Sequence, residues 1–129
     1  APAESGNTTH FSVVDGRGGA VSCTTTLNGS YGACVMAPAG FLMNNEMDDF
    51  AAAPGSPNDY GLVQGERNAI APGRRPLSSM CPVIVVADGR VDAVLGSPGG
   101  PTILSTVLHV LLNRYLFGMA PRAAVASAP

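Results

Sequence analysis

The sequence predicts an α+β domain built in layers, and three observations carry that prediction. Two stretches read as β-hairpins, one near the start and one around Asp88. An apolar repeat after Pro101 marks a helix broad enough to pack on a sheet. The first hairpin runs FSVVD, a glycine-rich GRGG turn, then AVSCTTTLN. β-Branched residues dominate both arms, and Asp15 to Gly19 supply the turn. A third short strand is expected through Ala33 to Met36. The run GFLMNNEMDDF then changes abruptly from apolar to acidic, the pattern of a strand end or turn that faces a cavity. From Ala53 to Arg75 the chain is rich in Pro, Gly and Asn, a length that suits a lid or binding loop better than plain connection. PVIVVADGRVDAVLG is the clearest hairpin, with two apolar arms around Asp88-Gly89. Beyond it the pairs Ile103/Leu104, Val107/Leu108, Leu111/Leu112 and Tyr115/Leu116 recur at helical spacing. Pro101 suits the first turn of that helix and Gly118 its stop. PRAAVASAP opens a further helix and breaks off. No internal repeat is present.

Length and composition exclude several classes. A chain of 129 residues is one domain's worth, enough to bury a real core. The net charge of −2 leaves no electrostatic footprint for nucleic acid or an acidic membrane. No stretch reaches the length of a membrane span, and APAESGN lacks the charged and apolar regions of a signal peptide. Cys23, Cys34 and Cys81 are odd in number, widely spaced and without a C-x-x-C. They argue against a disulfide framework or zinc site and for buried thiols.

Four places could carry chemistry. GSPGG runs into the helix, so Gly99 and Gly100 sit where backbone N–H groups have no intrahelical partner and the helix dipole is positive. Such a corner can hold a phosphate, a carboxylate or an oxyanion, although Gly-Gly before a helix is most often only a tight turn. RPLSSMCP sets Ser78 beside Ser79 between prolines. Two hydroxyls can bind a carboxylate, but adjacent loop serines more often satisfy nearby backbone. Neither has a histidine close by, and no G-x-S-x-G elbow is present, which disfavours a serine triad. NNEMDDF offers Glu46, Asp48 and Asp49, either a solvated acidic turn or a pocket for an ammonium group. If that turn is helical, Glu46 and Asp49 share a side. His10 and His109 are far apart and read as packing or surface residues.

The fourth place is TTHFSVVD. A threonine becomes a usable nucleophile when it is the first residue of a chain, because its own α-amino group, of pKa about 7.7–8.0, then serves as base. Thr8 is preceded by Asn7, so its nitrogen is an amide and accepts no proton. The chemistry requires a cut between Asn7 and Thr8.

Taken in order and spacing, TTHFSVVD, TTTLNGSYG, LMNNEMDDF, RPLSSMCP and GSPGG resemble the small subunit of gamma-glutamyltranspeptidases, which are N-terminal-nucleophile hydrolases. The resemblance runs from about Asn7 to the C-terminus. It implies a four-layer αββα sandwich, of which this chain would be a fragment. Residues 1–7 would end the large-subunit segment, and residues 8–129 would form the N-terminal part of the small subunit. The rest of the precursor would lie upstream and downstream. It further implies that Thr8, freed by self-cleavage, attacks the γ-glutamyl amide of glutathione or a related compound, and that water, an amino acid or a peptide accepts the glutamyl group. Thr26 would orient Thr8. Asn28, Glu46 and Asp49 would hold the substrate's α-ammonium group, and Ser78 and Ser79 its α-carboxylate. Gly99 and Gly100 would form the oxyanion hole, and Tyr60 the tip of a lid. No metal or organic cofactor is implied. The partner would be the large subunit of the same precursor, and the location periplasmic or extracellular. Two alternatives stand beside this. One is a sister acylase acting on a glutaryl β-lactam or poly-γ-glutamate. The other is a binding module that never matures. A glutaryl substrate has no amine for Asn28, Glu46 and Asp49 to hold.

Overall fold

The computed structural model describes residues 8–128. Asn7, and with it one side of the expected cut, lies outside the described residues. The chain divides into two compact units, each described by itself: one holds the residues up to Thr25 together with those from Ser79 onward, the other is Thr26–Ser78.

In the first unit, β1 (Thr8–Val14) pairs with β2 (Ala20–Thr26), whose last residue passes into the second unit. Asp15 explains the turn. Its carboxylate accepts the N–H groups of Arg17 at 2.8 Å and Gly19 at 2.7 Å, while its own N–H donates to the Gly19 carbonyl at 2.9 Å. The two accepted N–H bonds hold the Asp15 carboxyl below its usual range. The second hairpin is β3 (Val83–Ala87) with β4 (Arg90–Leu95), antiparallel with Ala87 opposite Arg90. Asp88 and Gly89 both take positive φ, 51° and 74°, as a two-residue turn matched to strand twist requires. The register shifts between Val85 and Val86, where Asp92 is the extra, unpaired residue on β4. Serine hydroxyls link the first hairpin to β4: Ser12 Oγ donates to the Val94 carbonyl at 3.3 Å and Ser22 Oγ to that of Leu95 at 3.0 Å.

The helix after Pro101 forms as expected. A 3₁₀ turn over Gly100–Thr102 leads into α1 (Ile103–Leu111), which widens into a π-helical stretch over Leu112–Leu116. Gly118, at φ 66°, ends it. The apolar stripe splits lengthwise. Ile103 and Val107 are 1% and 3% exposed, whereas Leu104 and Leu108 are 53% and 54% exposed. Adjacent positions on a helix lie about 100° apart, so within the described residues only one edge of the stripe meets other side chains. The second helix is α2 (Pro121–Ala126), and its Ala124 is buried. The Asn113 side chain donates to the Ala124 carbonyl at 3.1 Å, joining α2 to the π-helical stretch.

Two expectations are corrected here. No strand forms over Ala33–Met36. A single antiparallel bridge joins Met36 to Leu42, because Gly40 turns the chain back after only a few residues. The cysteines are also not buried: Cys34 is exposed and Cys23 and Cys81 are half-buried, all three as free thiols. Cys34 occupies a turn at φ 55°, which places it at the surface.

Gly96, after β4, lies close against the His10 side chain. The His10 ring contacts Thr24 Oγ1 through Nδ1 at 2.8 Å and Ser12 Oγ through Nε2 at 3.0 Å. A Cβ on Gly96 would run into that imidazole. Gly96→Ala in the full-length protein is therefore expected to cost about 1–3 kcal/mol of stability, measured by urea unfolding. An unchanged midpoint would show that His10 is free to move aside.

Candidate active site

The second unit is organised around Asn28, which follows the end of β2 and takes φ 70°. Asparagine tolerates this left-handed conformation better than most residues. Among the described residues Asn28 is the one buried polar side chain, at 6% exposure. A buried carboxamide needs a partner at each end. Its Nδ2 donates to the Asn45 carbonyl at 3.4 Å, and its Oδ1 accepts the Tyr60 hydroxyl at 2.8 Å. Its main-chain N–H donates to Thr26 Oγ1 at 3.0 Å. Three residues singled out by sequence, Thr26, Asn28 and Tyr60, thus share one network.

The acidic run does form a helical turn, a 3₁₀ turn over Glu46–Asp49. In such a turn side chains three apart eclipse one another, which brings Glu46 and Asp49 together. Their carboxyl groups are hydrogen-bonded. The Glu46 pKa is pushed up to about 7, first by removal from water, then by the hydrogen bond to Asp49 and by that residue's charge. The pair therefore favours holding a proton below about pH 7. The cavity expected beside this turn, of about 120 Å³, is lined by Asp48, Phe50, Pro57, Asn58 and Leu62 among others, and by neither Glu46 nor Asp49.

Tyr60 stands at the tip of a small hairpin closed by the Pro57–Val63 bridge. Asn58 holds that tip: its Oδ1 accepts the N–H groups of Tyr60 at 3.1 Å and Leu62 at 2.9 Å. The rest of Ala53–Arg75 contains one further regular element, the 3₁₀ turn Glu66–Asn68. Ser78, exposed, is the last residue of this unit.

The first unit holds the other candidates. Thr8 is half-buried and opens β1. Gly99 and Gly100 take φ 129° and 55°, two successive positive values that only glycine adopts without strain. A Cβ at Gly99 would lie 2.8 Å from Thr102 Oγ1. Thr102 anchors the turn, its Oγ1 donating to the Gly99 carbonyl at 2.8 Å and its N–H at 3.1 Å. Ser79 Oγ donates to the Gly100 carbonyl at 2.8 Å, so the second serine of the pair is bound to the glycine turn. His109 is exposed.

Asn45 had no signal of its own beyond lying next to the acidic run. It is nevertheless the residue through which the Asn28 turn and the Glu46–Asp49 turn are connected. Its N–H donates to the Leu27 carbonyl at 3.1 Å, and its Oδ1 accepts the Gly29 N–H at 2.8 Å.

A threonine at the head of a strand, with a paired-carboxylate turn in the same chain, is consistent with the N-terminal-nucleophile hydrolases. The chain belongs to the gamma-glutamyltranspeptidase family, whose model matches residues 1–129. It is 54% identical over 120 residues to the glutathione hydrolase proenzyme of Escherichia coli K12, covering 92% of this chain and 21% of that protein. Solved gamma-glutamyltranspeptidases are similar in structure. The enzyme of Pseudomonas nitroreducens complexed with L-DON is 52% identical with a TM-score of 0.85, covering 91% of this chain and 61% of that one. A mutant of the Helicobacter pylori enzyme is 53% identical with a TM-score of 0.83, covering 91% and 63%. The chain spans about a fifth of the length of the curated relatives it matches.

The Glu46–Asp49 pair makes a pH prediction. The Glu46 pKa is about 7 in the folded protein against an ordinary 4.5, so folding favours the protonated pair. That contribution is complete below the ordinary value and is lost as pH rises through about 7. Glu46→Gln removes it. Thermal midpoints of the full-length protein, followed across this range, should fall with rising pH more in the wild type than in the variant. Parallel curves would show that the pair does not titrate there.

Proposed function

We propose that this chain is the nucleophile-bearing part of a gamma-glutamyltransferase, or glutathione hydrolase, with the four-layer αββα architecture in the whole protein. The observation that carries the reading is the hydrogen-bonded Glu46–Asp49 pair in a chain that matches the gamma-glutamyltranspeptidase family over its whole length. A γ-glutamyl head group is a zwitterion, and two carboxyls sharing a proton are a ready site for its ammonium end.

Self-cleavage between Asn7 and Thr8 leaves residues 1–7 on the large-subunit side and frees the Thr8 amine. That amine takes the proton from Thr8 Oγ as the oxygen attacks the γ-carbonyl carbon of glutathione or a related γ-glutamyl amide. The amide C–N bond then breaks, the proton passes to the leaving amine, and a γ-glutamyl ester remains on Thr8. Water, or the amine of an amino acid or peptide, attacks that ester with the same group as base, and the Thr8 hydroxyl is restored. In this reading Thr26 orients Thr8, and Asn28, Glu46 and Asp49 hold the α-ammonium. Ser78 and Ser79 bind the α-carboxylate, Tyr60 covers the head group, and the Gly99 and Gly100 amides stabilise the oxyanion. The positive φ values of those two glycines support their part. They let a substrate approach the backbone where a Cβ would intrude. A periplasmic or extracellular location belongs to the same reading. Among the described residues no helix is long and apolar enough to cross a membrane.

N-terminal sequencing of the expressed full-length protein should find a new end at Thr8, and Thr8→Ala should leave the precursor joined and form no glutamyl adduct. A covalent adduct in the alanine variant would sink the proposal. Gly100→Pro removes one N–H and cannot reach φ 55°. It should lower turnover by about 10²–10³ or more, and near-normal turnover would contradict the oxyanion role. A des-amino analogue should compete far more weakly than the γ-glutamyl compound. Equal competition would favour a glutaryl-type acylase.

A further inference from the structure

The geometry points to Asn45 as a positioning residue for donor recognition: it holds the Asn28 carboxamide with its oxygen turned toward the ligand and fixes it relative to Glu46. This inference rests on the ammonium-binding role proposed for Asn28, Glu46 and Asp49.

Asn45 precedes the 3₁₀ turn Glu46–Asp49, the position where an asparagine side chain ordinarily caps its own turn. It makes no such bond here. The neighbouring Asn44 serves that end instead, its Oδ1 accepting the Glu46 N–H at 3.0 Å. The Asn45 side chain is thereby released to reach across the chain and accept the Gly29 N–H at 2.8 Å. Its main chain points the same way. The N–H donates to the Leu27 carbonyl at 3.1 Å, and the carbonyl accepts Asn28 Nδ2 at 3.4 Å. One residue therefore bonds to each of Leu27, Asn28 and Gly29, the segment that carries the left-handed, buried Asn28.

The consequence is chemical. An ammonium group needs an acceptor, so Asn28 must offer its oxygen and not its nitrogen. With Nδ2 tied to the Asn45 carbonyl, the amide cannot flip without losing that bond, and Oδ1 stays on the side where the Tyr60 hydroxyl already meets it. The same Asn45 carbonyl also accepts the Asp48 N–H at 3.2 Å, within the turn that carries Glu46 and Asp49. Any loosening of Asn45 would thus alter the spacing between Asn28 and the carboxyl pair. Gly29 faces this contact closely: a Cβ there would lie 3.3 Å from Asn45 Oδ1, so the carboxamide would have to shift by a few tenths of an ångström.

The test uses the mature full-length protein, with a γ-glutamyl donor and its des-amino counterpart as probes. Asn45→Ala removes the acceptor for Gly29 and should raise KM for the γ-glutamyl donor about tenfold while changing kcat little. KM for the des-amino compound should not move. Asn45→Asp keeps the acceptor and should restore KM to within about threefold of wild type. Gly29→Ala provides a second route and should raise KM in the same donor-selective way, which decides the matter if Asn45→Ala fails to mature. Equal losses for both donors, or a fall in kcat alone, would overturn the assignment and leave Asn45 a folding residue. A wild type that matures at Thr8 but does not distinguish the two donors would instead defeat the ammonium-site reading itself.

Discussion

A carboxamide taken out of water must have both of its ends answered, and much of Thr26–Ser78 follows from answering that of Asn28. The residue is buried at φ 70°, a conformation that most side chains resist. Tyr60 satisfies its oxygen from the tip of one hairpin, and Asn45 satisfies its nitrogen from the edge of the acidic turn. Each of those groups needs its own support. Asn58 holds the Tyr60 tip, and Asn44 takes over the turn that Asn45 leaves uncapped. Asparagine is suited to every one of these tasks because it is short, uncharged and both donor and acceptor. A segment with little regular secondary structure gains its order from this chain of amide bonds.

The carboxyl pair depends on the same frame. Partial removal from water, then the hydrogen bond to Asp49 and that residue's charge, push the Glu46 pKa up to about 7. Such a pair persists because the eclipsed geometry of a 3₁₀ turn leaves the side chains little freedom to separate. In the other unit the glycine turn before α1 follows a comparable logic with backbone in place of side chains. Thr102 and Ser79 grip the two glycine carbonyls, so the positive φ values are held by bonds on either side.

Elements whose rule is local were legible in the sequence. Asp88-Gly89 forms the turn its dipeptide calls for, since both positions must take positive φ. Pro101 and Gly118 bracket the helical stretch because one lacks an N–H and the other lacks a Cβ. Glu46 and Asp49 meet as i, i+3 neighbours do. Ala33–Met36 failed as a strand because a strand needs a partner of matching length, and Gly40 reverses the chain too soon. Asn45 was invisible for a related reason: its partners, Leu27 to Gly29, lie far away in sequence.

The sequence by itself determined the family, the hairpin turns and the helix limits. Each of these depends on residue type and short-range spacing, which the order of amino acids states outright. Only the tertiary structure decided that Asn28 is buried and bonded to Tyr60 and Asn45, that Ser79 binds the glycine turn, and that one edge of the α1 stripe is covered. Hydrogen bonds between distant segments and the removal of water depend on which surfaces meet, and spacing along the chain does not encode that meeting.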